Sequence, residues 1–159
     1  MARELLIVWA GRHRRDRWED LCASYRERIE RFLPVRDVAV RGRDTGEGRE
    51  RLRVEGEALR AALPDPCRLV ALDRRGEAVS SEALAKRLAA WREEWPHPIA
   101  FVLGSDLGLD EERVLEPARW RWSLGPLTLP HELARLVVYE QLYRALCISA
   151  GINYHRQPL

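Results

Sequence analysis

Five short apolar runs alternate with spans of helical periodicity, and this alternation narrows the possible folds more than any other feature of the chain. "ELLIVWA" (4–10) ends at Gly11 and suits a buried strand, while "VRDVAVR" (35–41) alternates with period two. "CRLVALD" (67–73), "PIAFVLG" (98–104) and "RWRWSLG" (119–125) follow, the last with Trp120 and Trp122 on one face and Arg119 and Arg121 on the other. Between the runs, "DRWEDLCASYRERIERFL" sets Trp18, Leu21, Tyr25, Ile29 and Phe32 at helical spacing until Pro34 stops it. A polar, Gly-rich loop then leads into a helix ending before Pro64, and Ser80 or Ser81 caps "EALAKRLAAWREEW". A short helix over 110–116 stops at Pro117, and a long one over 130–150 closes the chain. Alternation at this spacing predicts an α/β fold, a mostly parallel sheet with helices on both faces. At 159 residues the chain reads as a single domain, 1–159.

In such sheets ligands sit beyond the carboxyl ends of the strands. Three loops are therefore expected to meet: the one after Asp73, the turn at 104–108 and the loop at 124–129. Glycine in Gly104-Ser105-Asp106-Leu107-Gly108 suits a tight turn or a close backbone approach to a ligand. It is followed by no Walker lysine and no G-x-G-x-x-G pattern, so it matches no known phosphate cradle. The stretch "WSLGPLTLPHELARLVVYEQLYRA" (122–145) is more specific. Pro126 and Pro130 fix two φ angles and remove two donors, so the loop is rigid before any ligand arrives. If it is buried, its remaining backbone groups need partners. A flat heteroaromatic ring such as adenine would supply them, with Leu124, Leu127 and Leu129 covering its faces. The alternative is a loop that plugs the end of the sheet.

The terminal helix is apolar most of the way round. Leu133, Leu136, Val137, Tyr143, Leu146 and Cys147 form one face, which Val138, Tyr139 and Leu142 extend. A helix of that kind is buried on two sides, and in a chain this small the second side points to another subunit. Glu140 with Arg144 and Glu132 with Arg135 have spacings that allow ion pairs along it.

The formal charge is only +2, but Lys86 is the sole lysine, so the basic residues are almost all arginines, whose planar forks suit phosphate. "GRHRRDR" gathers Arg12, His13, Arg14, Arg15 and Arg17 at the mouth of the first strand, a reasonable phosphate patch. The closing "NYHRQPL" holds a stacking ring, a proton acceptor and a phosphate fork in Tyr154, His155 and Arg156. Cys22, Cys67 and Cys147 are widely spaced and odd in number, which argues against disulfides and a zinc site and suits a reducing compartment. No metal site is expected. The N-terminal apolar run is too short for a signal peptide and no segment reaches the ~20 apolar residues of a membrane span, so a cytoplasmic chain is expected.

Taken together, Leu72-Asp73, the strand "FVLG" entering its glycine turn, "SLGPLTLPHELAR", "YEQLYRA" and the closing "YHR" resemble the ribosomal RNA large-subunit methyltransferase H family, of the SPOUT class. The resemblance covers nearly the whole length and is strongest over 69–156. It implies a C-terminal trefoil knot, an exception to the rule that chains do not thread loops. It also implies a homodimer packed through the terminal helix, S-adenosylmethionine held in the knot, and methylation of N3 of a pseudouridine in large-subunit rRNA on assembled ribosomes. On this mapping Leu72, Gly104, Leu124, Gly125, Pro126, Leu127, Thr128 and Leu129 contact the cofactor. Tyr154, His155 and Arg156 form the catalytic end, with His155 the base, and the basic residues Arg12, Arg14, Arg15 and Arg144 meet RNA. His131, beside the cofactor loop, is a rival base.

Two departures stand out. The family's second turn glycine is replaced by Ser105, which costs about 1 kcal/mol if it takes positive φ, or else sends the turn along another path. Gln157, Pro158 and Leu159 extend the chain past the family's usual end. Two alternative functions stay open: a non-catalytic RNA-binding ribosome-assembly factor, and a SPOUT methyltransferase acting on tRNA.

Overall fold

The structure, a computed structural model, describes residues 2–42 and 46–154. Its strands are β1 (Leu5–Ala10), β2 (Val35–Val40), β3 (Arg68–Ala78), β4 (Ile99–Leu103) and β5 (Trp120–Ser123). Its helices are α1 (Arg17–Glu30), α2 (Gly48–Ala61), α3 (Ser81–Glu94) and α4 (His131–Ala150), with a π-helical turn at Glu111–Leu115. All strand pairings are parallel, in the order β2-β1-β4-β3-β5. Every expected strand and helix is present, with helices on both faces.

β1 and β4 are central, and every residue of both is buried. This explains why they read as continuous apolar runs, whereas the edge strand β2 alternates. Leu5 sits opposite both Val35 and Ile99, which sets the register across three strands. The period-two alternation then divides the core into two layers. Leu5, Ile7, Trp9, Val70, Phe101, Trp120 and Trp122 face α1, α3 and α4, while Leu6, Val8, Ala71, Ala100 and Val102 meet Leu59 of α2 and Val114 and Leu115 of the π turn. Trp120 and Trp122 share a face as expected, their rings stacked with centroids 5.4 Å apart.

Three sequence expectations need correction. β3 does not end at Asp73. Its chain leaves β5 after Leu72 and rejoins it at Glu77, with Trp122 opposite both residues. Gly76 permits this excursion, since a Cβ there would lie 2.4 Å from the carbonyl oxygen of Arg121. On α1, Leu21 is 47% exposed, and the buried positions are Cys22 and Ile29. The stripe that meets the core runs 22, 25, 29, 32; Trp18 lies outside it, and Leu21 falls about a quarter-turn to its side. On α4 the deepest residues are Val138, Tyr139, Leu142, Ala145, Leu146 and Cys147, while Leu133, Leu136, Val137 and Tyr143 form a half-buried flank.

Of the two candidates Ser80 and Ser81, Ser80 caps α3, and α1 is capped by Asp16, which the sequence reading did not single out. The Ser80 hydroxyl accepts the Ala83 amide at 3.1 Å, and Asp16 accepts the Glu19 amide at 2.9 Å. All three cysteines are free. No helix among the described residues is long and apolar enough to cross a membrane.

Candidate functional site

The carboxyl ends of β4 and β5 and the mid-strand excursion of β3 open into a cleft of about 970 Å³. The three loops expected to meet do so here: Leu72 to Arg75, Gly104 to Gly108 and Leu124 to Pro130, closed at one side by the first turn of α4. All the expected cofactor contacts line it except Pro126. The loop borders this cleft without plugging it, and Leu127 at its tip is 75% exposed.

Residues that drew no attention in the sequence hold this loop in place. The buried Ser123 hydroxyl lies 3.0 Å from the Arg74 carbonyl oxygen and accepts the Gly125 amide at 3.0 Å. Gly125 turns the chain there with φ +116°. From the β3 excursion, the Arg74 guanidinium donates to Thr128 Oγ1 at 2.7 Å. A single residue thus secures both ends of the loop, one through its backbone and the other through its side chain.

The glycine turn takes the second of its two possible courses. Among the described residues no non-glycine has positive φ, so Ser105 sits unstrained. Gly108 takes the left-handed conformation at φ +84°, and its amide donates to the Ser105 carbonyl at 3.0 Å. Gly104 is required for close packing, because a Cβ would stand 2.1 Å from the Gly108 oxygen. The Ser105 amide donates to Glu55 Oε1 at 3.0 Å, which gives the buried Glu55 of α2 a partner.

Beside the cleft lies a buried polar cluster that sequence spacing did not reveal. Asp37 of β2 accepts from Trp9 Nε1 at 2.7 Å, from Arg135 Nη2 at 2.7 Å and from the Tyr139 hydroxyl at 2.5 Å. His13 Nε2 also lies 2.7 Å from it. The side chains of Asp37 and Arg135 are each only 4% exposed. Burial works against the Asp37 carboxylate, but the Arg135 guanidinium and the surrounding donors outweigh it and hold it below the usual range. Burial, reinforced by that carboxylate, pushes the Tyr139 phenol up, so it remains a donor. The Cys22 thiol, buried alongside, is pushed up to about 11. The expected Glu132–Arg135 pair does not form. Arg135 turns inward to Asp37 and Glu19, and Glu132 instead lies 3.3 Å from His131 Nε2.

The expected Glu140–Arg144 pair is present, with Arg144 Nε 2.9 Å from Glu140 Oε1. Tyr154 joins it, its hydroxyl 3.2 Å from that oxygen and its ring edge-on to Tyr143 at 4.7 Å. The Arg144 guanidinium lies over the Tyr154 ring at 4.9 Å. Neither Tyr154 nor Arg144 lines the cleft of its own chain. His155 and Arg156 lie outside the described residues. Arg12 and Arg14, but not Arg15, line a second cavity, of about 540 Å³, at the carboxyl ends of β1 and β2. Among the described residues no group of His, Cys, Asp and Glu could hold a metal ion.

A family described as "Predicted SPOUT methyltransferase" matches residues 4–155. The chain belongs to the SPOUT methyltransferases. Within that class it is 43% identical over 152 residues to a protein of Rhodospirillum centenum, covering 96% of this chain and 98% of the relative. It is 43% identical over 137 residues to one from Xanthomonas axonopodis pv. citri, covering 84% and 86% respectively. A third, from Solidesulfovibrio magneticus, is 39% identical over 151 residues, covering 95% and 97%. All three are named "Ribosomal RNA large subunit methyltransferase H", the family recognised in the sequence motifs. A solved structure, that of a probable methylase family protein from Haemophilus influenzae Rd KW20, shares the fold. Its TM-score is 0.50 at 14% identity, over 98% of this chain and 71% of that one.

In this SPOUT methyltransferase, the loops that local motifs mark out meet at the cleft as read from sequence, whereas the contacts that depend on distant pairing were not foreseen. Arg74, Ser123 and Glu55 carry no motif. Only their positions next to the three loops could have drawn attention to them.

Proposed function

We propose that this chain transfers a methyl group from S-adenosylmethionine to N3 of a pseudouridine in large-subunit ribosomal RNA, on assembled ribosomes. The observation that carries this reading is the convergence of Leu72, Gly104 and the 124–129 loop on one cleft at the carboxyl edge of a parallel sheet. The cleft suits the donor's adenine. Leu124, Leu127 and Leu129 offer apolar cover, and the backbone of a rigid loop offers amides and carbonyls at its edge. The names of the relatives support rRNA as acceptor.

Bound there, S-adenosylmethionine supplies an electrophilic methyl whose sulfonium departs as a neutral thioether without acid assistance. The protein's task is alignment of nucleophile, methyl and sulfur on one line. The loop pinned by Ser123 and Arg74 holds the donor side rigid. On the acceptor side the N3–H proton must leave as the N–CH3 bond forms, and we assign its acceptance to neutral His155. Tyr154 and Arg156 place the nucleotide. Since Tyr154 stands away from the cleft of its own chain, we further propose a homodimer packed through α4. In it the 154–156 segment of one copy serves the cleft of the other. The half-buried flank of α4 and the exposed Leu127 support such a partner. The same reading carries a trefoil knot around the cleft, a single methyltransferase domain over the whole chain and a cytoplasmic location. Ser105 was the reason to consider a non-catalytic assembly factor, and its ordinary φ removes that reason.

The test combines calorimetry with S-adenosylmethionine and transfer of labelled methyl to intact ribosomes with and without the target pseudouridine. Donor binding together with transfer only to pseudouridine-containing ribosomes supports the proposal. Absence of donor binding, or transfer to tRNA in preference, overturns it.

A further inference from the structure

The chain has six tryptophans. Trp9, Trp120 and Trp122 are buried in the core, and Trp91 and Trp95 pack against it. Trp18 alone joins neither apolar layer. It opens α1, which begins at the carboxyl end of the sheet, and there its half-buried side chain lines the second cavity with Arg12 and Arg14. A ring of that size lining a cavity and left out of the core presents aromatic surface to whatever fills it.

The loop carrying the two arginines is anchored. His13, between them, lies 2.7 Å from the buried Asp37, and the Gly11 amide donates to the Val40 carbonyl at 2.9 Å. Among the described residues neither Arg12 nor Arg14 has an acidic partner. Of the acids lining the cavity, Glu19 is engaged with Arg26 and Arg135, Glu55 with the Ser105 amide, Asp16 with the start of α1, and Glu132 lies 3.3 Å from His131 Nε2. The cavity meets the cleft along a shared wall of Ser105, Asp106 and His131. Asp106 on that shared wall is exposed and acidic, so a phosphate is favoured at the arginines and not at the junction.

We propose that this second cavity is a nucleotide subsite, in which one unpaired ribonucleotide stacks its base on Trp18 and sets its phosphate against Arg12 and Arg14. This deepens the methyltransferase reading and rests on it, since the occupant is the nucleotide flanking the one presented to the cleft. A volume of about 540 Å³ accommodates a nucleotide. The stacking face demands a single strand, because paired bases in an A-form helix cover their own faces.

The experiment uses the full chain and a 5′-labelled single-stranded hexaribonucleotide, with binding followed by fluorescence anisotropy. Trp18→Ala weakens binding about tenfold, and Trp18→Phe, which keeps a ring, recovers most of it. The double variant Arg12→Ala/Arg14→Ala flattens the dependence of log affinity on log salt by about 1.4, the value for two lost phosphate contacts on a single strand. An RNA duplex of equal length binds the wild type and Trp18→Ala alike. Calorimetry with S-adenosylmethionine gives the same donor affinity for both. Unchanged hexanucleotide binding by Trp18→Ala, or an equal loss with the duplex, overturns the subsite. Failure of the wild type to bind donor overturns the methyltransferase reading instead, so the two failures are distinct.

Discussion

Ser105 occupies a position where the family pattern has glycine, and the residues around it show why it fits. The left-handed conformation falls on Gly108, and the serine hydroxyl accepts the Leu107 amide at 3.3 Å. Ser105→Gly should therefore leave donor affinity within about twofold while costing roughly 0.5–1 kcal/mol of stability through added backbone freedom. Calorimetry and urea denaturation measure the two effects, and a clear gain in donor affinity would show that the serine is a handicap after all. His155 gives the complementary case, a residue assigned to chemistry and not to form. His155→Ala is expected to lower kcat about 100-fold or more, the usual contribution of a general base, with the donor Kd within about twofold of wild type. Parallel losses in kcat and donor binding would refute its role as base.

At the scale of elements, Asp37 joins β1, β2, α1 and α4 through Trp9, His13, Arg26, Arg135 and Tyr139. Asp37→Asn leaves the buried Arg135 guanidinium with Glu19 as its remaining counter-charge, a loss of about 3 kcal/mol near neutral pH. Because folding depresses the Asp37 value, its stabilisation is complete above the ordinary aspartate value of about 4 and disappears as pH falls below it. The gap between wild type and Asp37→Asn in urea midpoint should thus be widest at neutral pH and narrow below about pH 4. A gap independent of pH would mean that the charge contributes nothing. This cluster also marks where sequence reading stopped. β1 and β4 announce themselves as unbroken apolar runs because both faces are covered, and the 122–130 loop announces itself through its prolines. Arg135, by contrast, has an acid three residues before it on the same helix, yet bonds to a carboxylate 98 residues away. Helical spacing lists the possible neighbours of a side chain but not the sheet beneath it. The extension of β3 past Asp73 was hidden for a similar reason, since polar residues looping out and back read as a turn.

The question at the scale of the whole molecule is which cleft the 154–156 segment serves. Tyr154 is held against Glu140, Tyr143 and Arg144 on α4 and does not line the cleft of its own chain. If the catalytic end works in trans across a two-fold dimer, two inactive chains can repair one another. One partner is His155→Ala, with an intact cleft. The other is Gly125→Val, with an intact C-terminal segment but a β-branched residue forced to φ +116° in the donor loop. After the two are unfolded together and refolded in equal amounts, about half the dimers are mixed. Each mixed dimer holds one good cleft facing one good terminal segment, and the second site combines both lesions. Methyl transfer should therefore return to about a quarter of the wild-type value. A segment that serves its own cleft yields no recovery, because every chain then carries its own defect. Sedimentation of the mixture shows whether dimers formed at all, and dimers without recovered activity would sink the shared-site proposal.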